Sequence, residues 1–499
     1  MSLEQPTDSD GLEEHLRWLE ALAAAPERLL DLDQALQIRL RTAAGKVALP
    51  DRLSRRKLAH ERRSRLRREV RQQDDRALEA TSNRQMKRAL SFPAAPPQLD
   101  ITADQRELLE RQARERPKEQ RPQLNKSQAC YVCKEQYTEL HFHYDSMCPK
   151  CADRNWLKRT ATADLAGRVA LVTGARVKIG YEIVLFLLRA GCRVIATTRF
   201  ACDAARRFEA APDFDAWRHR LDLRALDLRH TPSVEGFCDA LLRSETRLDF
   251  LVHNACQTVR RPPDYYRDMA SRENPVALTP ELRDLLGEET SERALAVHKA
   301  PERVAQLSQL DLLGEGDQRH LFPAGMTDGE GQQLDLRDKN SWRMELAEVP
   351  TVELLEVQLV NQIAPFVLNA RLKPLMVAVP TPDKHIVNVS AMEGQFNRAL
   401  KTTRHPHTNM AKAALNMMTR TSAADYVKDG IHMNSVDTGW VTDEDDFARA
   451  VEKEEAQRFA PPLDSVDGAA RCVDPIFVGF NTGHHCWGQF LKDYGPAPW

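Results

Sequence analysis

From Leu165 to the C-terminus, short apolar runs alternate with stretches in which apolar residues recur at helical spacing. This pattern predicts strands and helices following one another, and hence an α/β class domain on a doubly wound parallel sheet. Strands are expected at Val169-Ala-Leu-Val172, Arg193–Thr198, Asp249–His253 and Ile386–Ser390. The alternation breaks once. Between Gln257 and about Glu348 the chain is polar, contains Pro and Gly, and is too long for an ordinary loop, so an inserted subdomain or lid is expected over 258–347. Ahead of the domain, Leu12, Leu16, Leu19, Leu22, Leu29, Leu30 and Leu36 fall at helical spacing and predict an amphipathic arm. Pro93, Pro96 and Pro97 then mark a linker. The expected division is a charged helical arm at 1–125, a cysteine module at 126–160, and the α/β domain at 165–499.

Charge changes this picture only locally. The 71 basic and 73 acidic residues nearly cancel, so no whole-chain field points to nucleic acid. Between Arg52 and Arg71, however, ten Lys/Arg face two Glu. That run is either a solvated helix face or a contact for a protein or RNA partner, and it lacks aromatic residues that would stack on bases. No apolar run reaches bilayer length and no signal-like N-terminus is present, so no membrane contact and a cytoplasmic location are expected. Six of the ten cysteines (Cys192, Cys202, Cys238, Cys256, Cys472, Cys486) follow no repeating spacing and read as small core residues of a reducing compartment.

The other four form Cys130-Tyr-Val-Cys133 and Cys148-Pro-Lys-Cys151, two tight pairs joined by a loop long enough to close around one tetrahedral ion. Four sulfur ligands leave no open position, so a bound Zn2+ would be structural. His141 and His143 lie between the pairs and either replace a ligand or pack on the hairpin. A redox dithiol is the alternative.

Arg168-Val-Ala-Leu-Val-Thr173-Gly174-Ala-Arg176-Val-Lys178-Ile179-Gly180 puts glycines where a backbone turns tightly against a pyrophosphate at a helix N-terminus. This stretch resembles the Thr-Gly-x-x-x-Gly-x-Gly fingerprint of the short-chain dehydrogenase/reductase family, with Lys178 at the middle glycine. The resemblance implies a Rossmann fold and a nicotinamide cofactor. Arg199 ends the second strand in place of an acidic residue, which favours NADP(H) over NAD(H). Leu226-Asp227-Leu228 resembles the adenine-contacting segment, and Asn254-Ala255-Cys256 the Asn-Asn-Ala-Gly strand end.

The family's chemistry uses Tyr-x-x-x-Lys on a helix, a serine on the preceding strand and an asparagine completing a proton relay. Here Lys412 and Asn361 match, whereas Thr408 stands at the tyrosine and Ala391 at the serine. His405, seven residues before Lys412, is the substitute donor the pattern offers; Ser390 is expected to face away. Asn434-Ser-Val-Asp-Thr438-Gly439-Trp-Val-Thr442 resembles the segment that holds the nicotinamide carboxamide, with Thr438 for proline. Two readings follow: an atypical NADP(H)-dependent oxidoreductase of unknown small-molecule substrate, or a catalytically inactive nucleotide-binding scaffold that recruits a partner through the cysteine module and basic arm. The resemblance also implies a homodimer or homotetramer, paired through the helices carrying Asn361 and Lys412.

Overall fold

The computed structural model describes residues 9–85, 121–286, 301–314, 316–327, 332–397, 401–442 and 460–499. The expected proline linker lies outside them. The chain divides into two units, 1–75 and 76–499. In the first lie the helices Ser9–Ala24 and Gln34–Ala48, which carry Leu12, Leu16, Leu19, Leu22 and Leu36, and most of the arginine-rich helix Arg52–Glu79. Asp33 caps the second helix through Ala35 N and Leu36 N, and Asp51 caps the third through Leu53 N and Ser54 N. Leu12, Leu16, Leu19, Leu30 and Leu36 remain exposed.

The second unit begins with a small module, in which β1 (Gln123–Ala129) and β2 (Gln136–Glu139) form an antiparallel hairpin followed by the helix Pro149–Arg159. This cysteine module is not self-contained. Its core of Leu124, Tyr137, Leu140, Tyr144 and Met147 also includes Leu78, Val441 and Leu463. Arg159 pairs with Asp464 at 2.6 Å and Asp467 at 3.1 Å at the start of the helix Ser465–Thr482.

The rest of the unit is built on an eight-stranded sheet. Its strands are β3 (Val169–Thr173), β4 (Arg193–Thr198), β5 (Leu221–Ala225), β6 (Phe250–His253), β7 (Lys384–Ser390), β8 (Ile431–Asp437), β9 (Phe490–Lys492) and β10 (Gly495–Ala497), in the order β10-β9-β8-β7-β6-β3-β4-β5. Strands β3 to β9 run parallel, and β10 returns antiparallel to β9 with Pro496 at its centre. Because strand side chains alternate between faces, Ala170, Val172, Phe250 and Val387 pack on one side with Ile183, Val184, Val473 and Phe477. Val169, Leu171, Leu251 and Ile386 pack on the other with Phe237, Leu368, Leu372 and Ala423. Burial on both faces explains why these strands read as continuous apolar runs. The family's fold, a doubly wound Rossmann sheet, is present as expected.

The described part of the insertion consists of short helices, and Tyr265, Tyr266, Met269, Ala305 and Phe322 anchor it on Phe200 beyond β4. Among the described residues, no helix is long and apolar enough to cross a membrane.

Candidate functional site

Strand order reverses between β3 and β6, the place where an open α/β sheet leaves a crevice at its carboxyl ends. A cavity of about 840 Å³ opens there. Its floor is the glycine turn. Gly174 has φ +69°, and a Cβ on it would stand 2.7 Å from Ala255 Cα; one on Gly180 would stand 2.1 Å from Gly174 O. Asn254 Nδ2 donates to Thr173 O and Gly174 O, and Ala255 N donates to Thr173 Oγ1 at 3.1 Å, tying the turn to the end of β6. Lys178 keeps a left-handed φ of 53° where the family pattern has glycine, at the first residue of the helix Lys178–Arg189. Ile179 and Gly180 follow it on the cavity wall.

Arginines crowd the far end. Arg199 donates to Tyr266 OH at 2.9 Å and Ser308 Oγ at 3.2 Å, with its guanidinium 4.6 Å from the Tyr266 ring centre. Burial would push the Tyr266 phenol up, but the charge and hydrogen bond of Arg199 outweigh it and hold it below its ordinary value. Arg176 pairs with Asp203 at 2.7 Å. Asp227 is buried, which alone would raise its carboxyl, yet the Arg229 guanidinium grips it and holds it low. Leu228 lines the wall beside it.

At the chemical end, Lys412 and Ala391 reach the cavity, whereas Asn361, His405 and Thr408 do not. Lys412 Nζ donates to Val389 O at 2.7 Å. Asn361 sits on a π-helical turn, Leu359–Ile363, and clamps the backbone of Gln257 by accepting from its N at 2.7 Å and donating to its O at 3.1 Å. Thr408 is buried, and its hydroxyl has no hydrogen-bond partner among the described residues. His405 stacks on Trp342 at 4.0 Å, and Trp342 lines the wall; burial lowers the imidazole's pKa. Ser390 does touch the wall, but donates its hydroxyl proton to Asn416 Oδ1 at 2.6 Å.

Loop 438–442 closes this end. Gly439 (φ +78°) donates its N–H to Asp437 Oδ1 at 2.7 Å, and Thr442 lies on the wall. Asp437 Oδ2 is buried without a hydrogen-bond partner among the described residues, 3.6 Å from Lys492 Nζ. Burial pushes this carboxyl above its ordinary value, against the opposing charge of Lys492.

Two family models match the chain, one described as short chain dehydrogenase over residues 168–273 and one as enoyl-(acyl carrier protein) reductase over 338–462. An uncharacterised protein of Acanthamoeba polyphaga mimivirus, R665, is 30% identical over 383 residues, covering 73% of this chain and 74% of that one. The chain belongs to the short-chain dehydrogenase/reductase superfamily. Bovine dehydrogenase/reductase SDR family member 13 is 43% identical over 108 residues, which is 20% of this chain and 27% of that relative. A solved Pseudomonas aeruginosa RhlG/NADP complex covers 66% of this chain and 95% of that one, at 20% identity and a TM-score of 0.40.

This superfamily member adds a cysteine centre to the fold. The sulfurs of Cys130, Cys133, Cys148 and Cys151 all lie within 4.8 Å of one another. Burial of Cys130 is outweighed by the backbone amides of Cys148, Cys133 and Val132, which bring its thiol down to about 7, while burial and the neighbouring sulfurs push Cys151 up. His141 is not among the sulfurs: its Nδ1 accepts from His143 N and Tyr144 N. His143, Asp464 and Asp467 also converge, but the Arg159 guanidinium already occupies both carboxylates. Sequence reasoning missed Tyr131, Tyr266, Ser308, Asp437 and Lys492. Of these Asp437 and Tyr131 sat in recognisable motifs, the latter inside the first cysteine pair; Tyr266, Ser308 and Lys492 come from segments that carry no such signal.

Proposed function

We propose that this protein is an atypical NADP(H)-dependent oxidoreductase. The observation that carries the reading is the continuous cavity at the β3/β6 switch point, which joins the glycine turn, Arg199, Lys412 and loop 438–442. Lys178 and Arg199 put positive charge on its wall, which suits a phosphorylated dinucleotide, while Arg176 and Arg229 there are paired with Asp203 and Asp227. The nucleotide, when bound, supplies or takes up a hydride. Lys412 would hold the nicotinamide ribose, and loop 438–442 the carboxamide. With Thr408 and His405 off the wall, Asp437 Oδ2 is the group we assign to hold the proton that accompanies hydride transfer, because it lies on the wall, is buried without a hydrogen-bond partner among the described residues, and burial raises its carboxyl's pKa.

Calorimetric titration with NADPH and NADH tests the reading. Micromolar NADPH binding, weakened about tenfold by Arg199→Ala, is expected; no heat from either nucleotide removes it. The burial of Thr408 away from the cavity favours a second reading, an inactive NADP(H)-binding scaffold. NADPH oxidation over a panel of carbonyls, activated alkenes and imines separates the two. In the scaffold reading the basic arm captures a protein or RNA, and charge reversal of Arg62, Arg63, Arg67 and Arg68 abolishes capture without altering cofactor affinity.

The cysteine centre is proposed to hold a structural Zn2+. Self-association into a homodimer or homotetramer is proposed through the helices carrying Asn361 and Lys412, where Leu355, Phe366, Met410 and Met417 are exposed.

A further inference from the structure

The turn that carries Cys130 and Cys133 also forms part of the cavity wall. Tyr131 and Lys134 line it together with Gly174, Ile179 and Gly439. Inside the module, Tyr131 N donates to Ser146 O at 2.8 Å. Outside it, the Tyr131 phenol oxygen accepts the Trp440 N–H at 2.9 Å, so one side chain links the neighbour of a cysteine to the middle of loop 438–442. The approach is close: a Cβ on Gly439 would stand 3.2 Å from the phenol oxygen and 2.5 Å from Leu463 Cδ1. Apolar packing runs the same way, since Val441, Leu463 and the partly buried Ile179 share one cluster with Leu140, Tyr144, Met147 and Cys148.

The loop needs outside support. The family pattern places proline before the glycine, which would fix φ there, and Thr438 leaves that torsion free. Asp437 holds the Gly439 amide, and Tyr131 holds the next one. The module that holds Tyr131 is two short strands and one helix of eleven residues. Its core is shared with Leu78, Val441 and Leu463, and an ion held by the four sulfurs would add a fixed point one residue from Tyr131.

We propose that a divalent metal held by the four cysteines positions loop 438–442 through Tyr131, so that metal loading and nucleotide binding strengthen each other. The coupling to nucleotide rests on the cofactor reading above; the coupling of metal to loop does not. By linkage, bound nucleotide must tighten metal retention by the same factor that metal tightens nucleotide.

The test uses the full-length protein with measured metal content, the same protein stripped by a chelator, and the stripped protein reloaded with Zn2+. NADPH affinity is titrated, and amide hydrogen exchange of 438–442 is followed without nucleotide. Stripping is expected to weaken NADPH binding about tenfold or more and to speed exchange at Trp440, with Zn2+ restoring both. Tyr131→Phe, which leaves all four sulfurs in place, is expected to retain the metal and reproduce part of both effects. If stripping melts the fold by circular dichroism, that variant decides alone. Full metal with unchanged Trp440 exchange in Tyr131→Phe overturns the proposal, as does equal affinity and equal exchange in loaded and stripped protein. If loaded wild-type protein fails to bind NADPH, the cofactor reading falls, while the exchange comparison still decides the role of Tyr131.

Discussion

Gly180 and Lys178 lie two positions apart and tolerate opposite changes. A methyl at Gly180 would collide with Gly174 O at 2.1 Å, and neither backbone can yield without opening the turn. Gly180→Ala is therefore expected to lower stability by about 1–3 kcal/mol in chemical denaturation and to abolish NADPH binding. Lys178 already carries its Cβ in a left-handed conformation. Lys178→Gly relieves that strain while freeing the unfolded chain, so denaturation should shift by less than about 1 kcal/mol. Asp437 permits a sharper test. A carboxyl whose folded pKa is raised binds its proton more tightly when folded, so stability is greatest below the ordinary carboxylate value of 3.8 and falls as pH rises through the raised one. Asp437→Asn keeps an acceptor for Gly439 N–H and loses the titrating proton. At pH 7 it is expected to denature at higher urea than wild type, yet to lose NADPH oxidation; retained oxidation would take the proton role from Asp437.

Among elements, the strands carry an acid sensitivity of their own. His385 on β7 and His432 on β8 are register partners, and His385 Nε2 lies 2.9 Å from His485 Nδ1 beside Arg168 and Asp383. Burial, with the neighbouring imidazoles, holds His385 far below its ordinary value, and burial brings His253 to about 4 despite its hydrogen bond to Asn369. For such groups the unfolded chain binds protons first, so stability is complete above about pH 6.5 and declines as pH falls towards 4. A pH series of thermal melts should show this, and His253→Gln should flatten part of it. The strands themselves were legible because burial on two faces demands continuous apolar runs, and the glycine turn because its close approaches exclude other residues. The helix of Lys412 was legible too, but not the direction of Thr408 within it. Nothing in the sequence of the insertion marks Tyr266 or Ser308, since their role arises only from contact with Arg199, more than sixty residues away.

At the scale of the whole molecule, the contacts group the cysteine module with the sheet. The chain divides after Asp75, because Ser82 and Asn83 already bond the backbone of Phe142 and His143. Spacing showed the cysteine pairs but not that Val441 and Leu463 finish their core, a pairing across roughly three hundred residues. Since that core is shared, chelation is expected to lower the melting temperature of the sheet domain in one common transition; a separate early transition with the main one unmoved would show the module to be independent. The last strand has a different consequence. An open sheet ends in a row of unpaired amides and carbonyls on which another chain can polymerise. β10 is three residues long, runs against β9, and has a proline at its centre that has no amide to offer. β10 thereby offers a short edge with one amide missing, which weakens the ladder that a copy meeting it could extend.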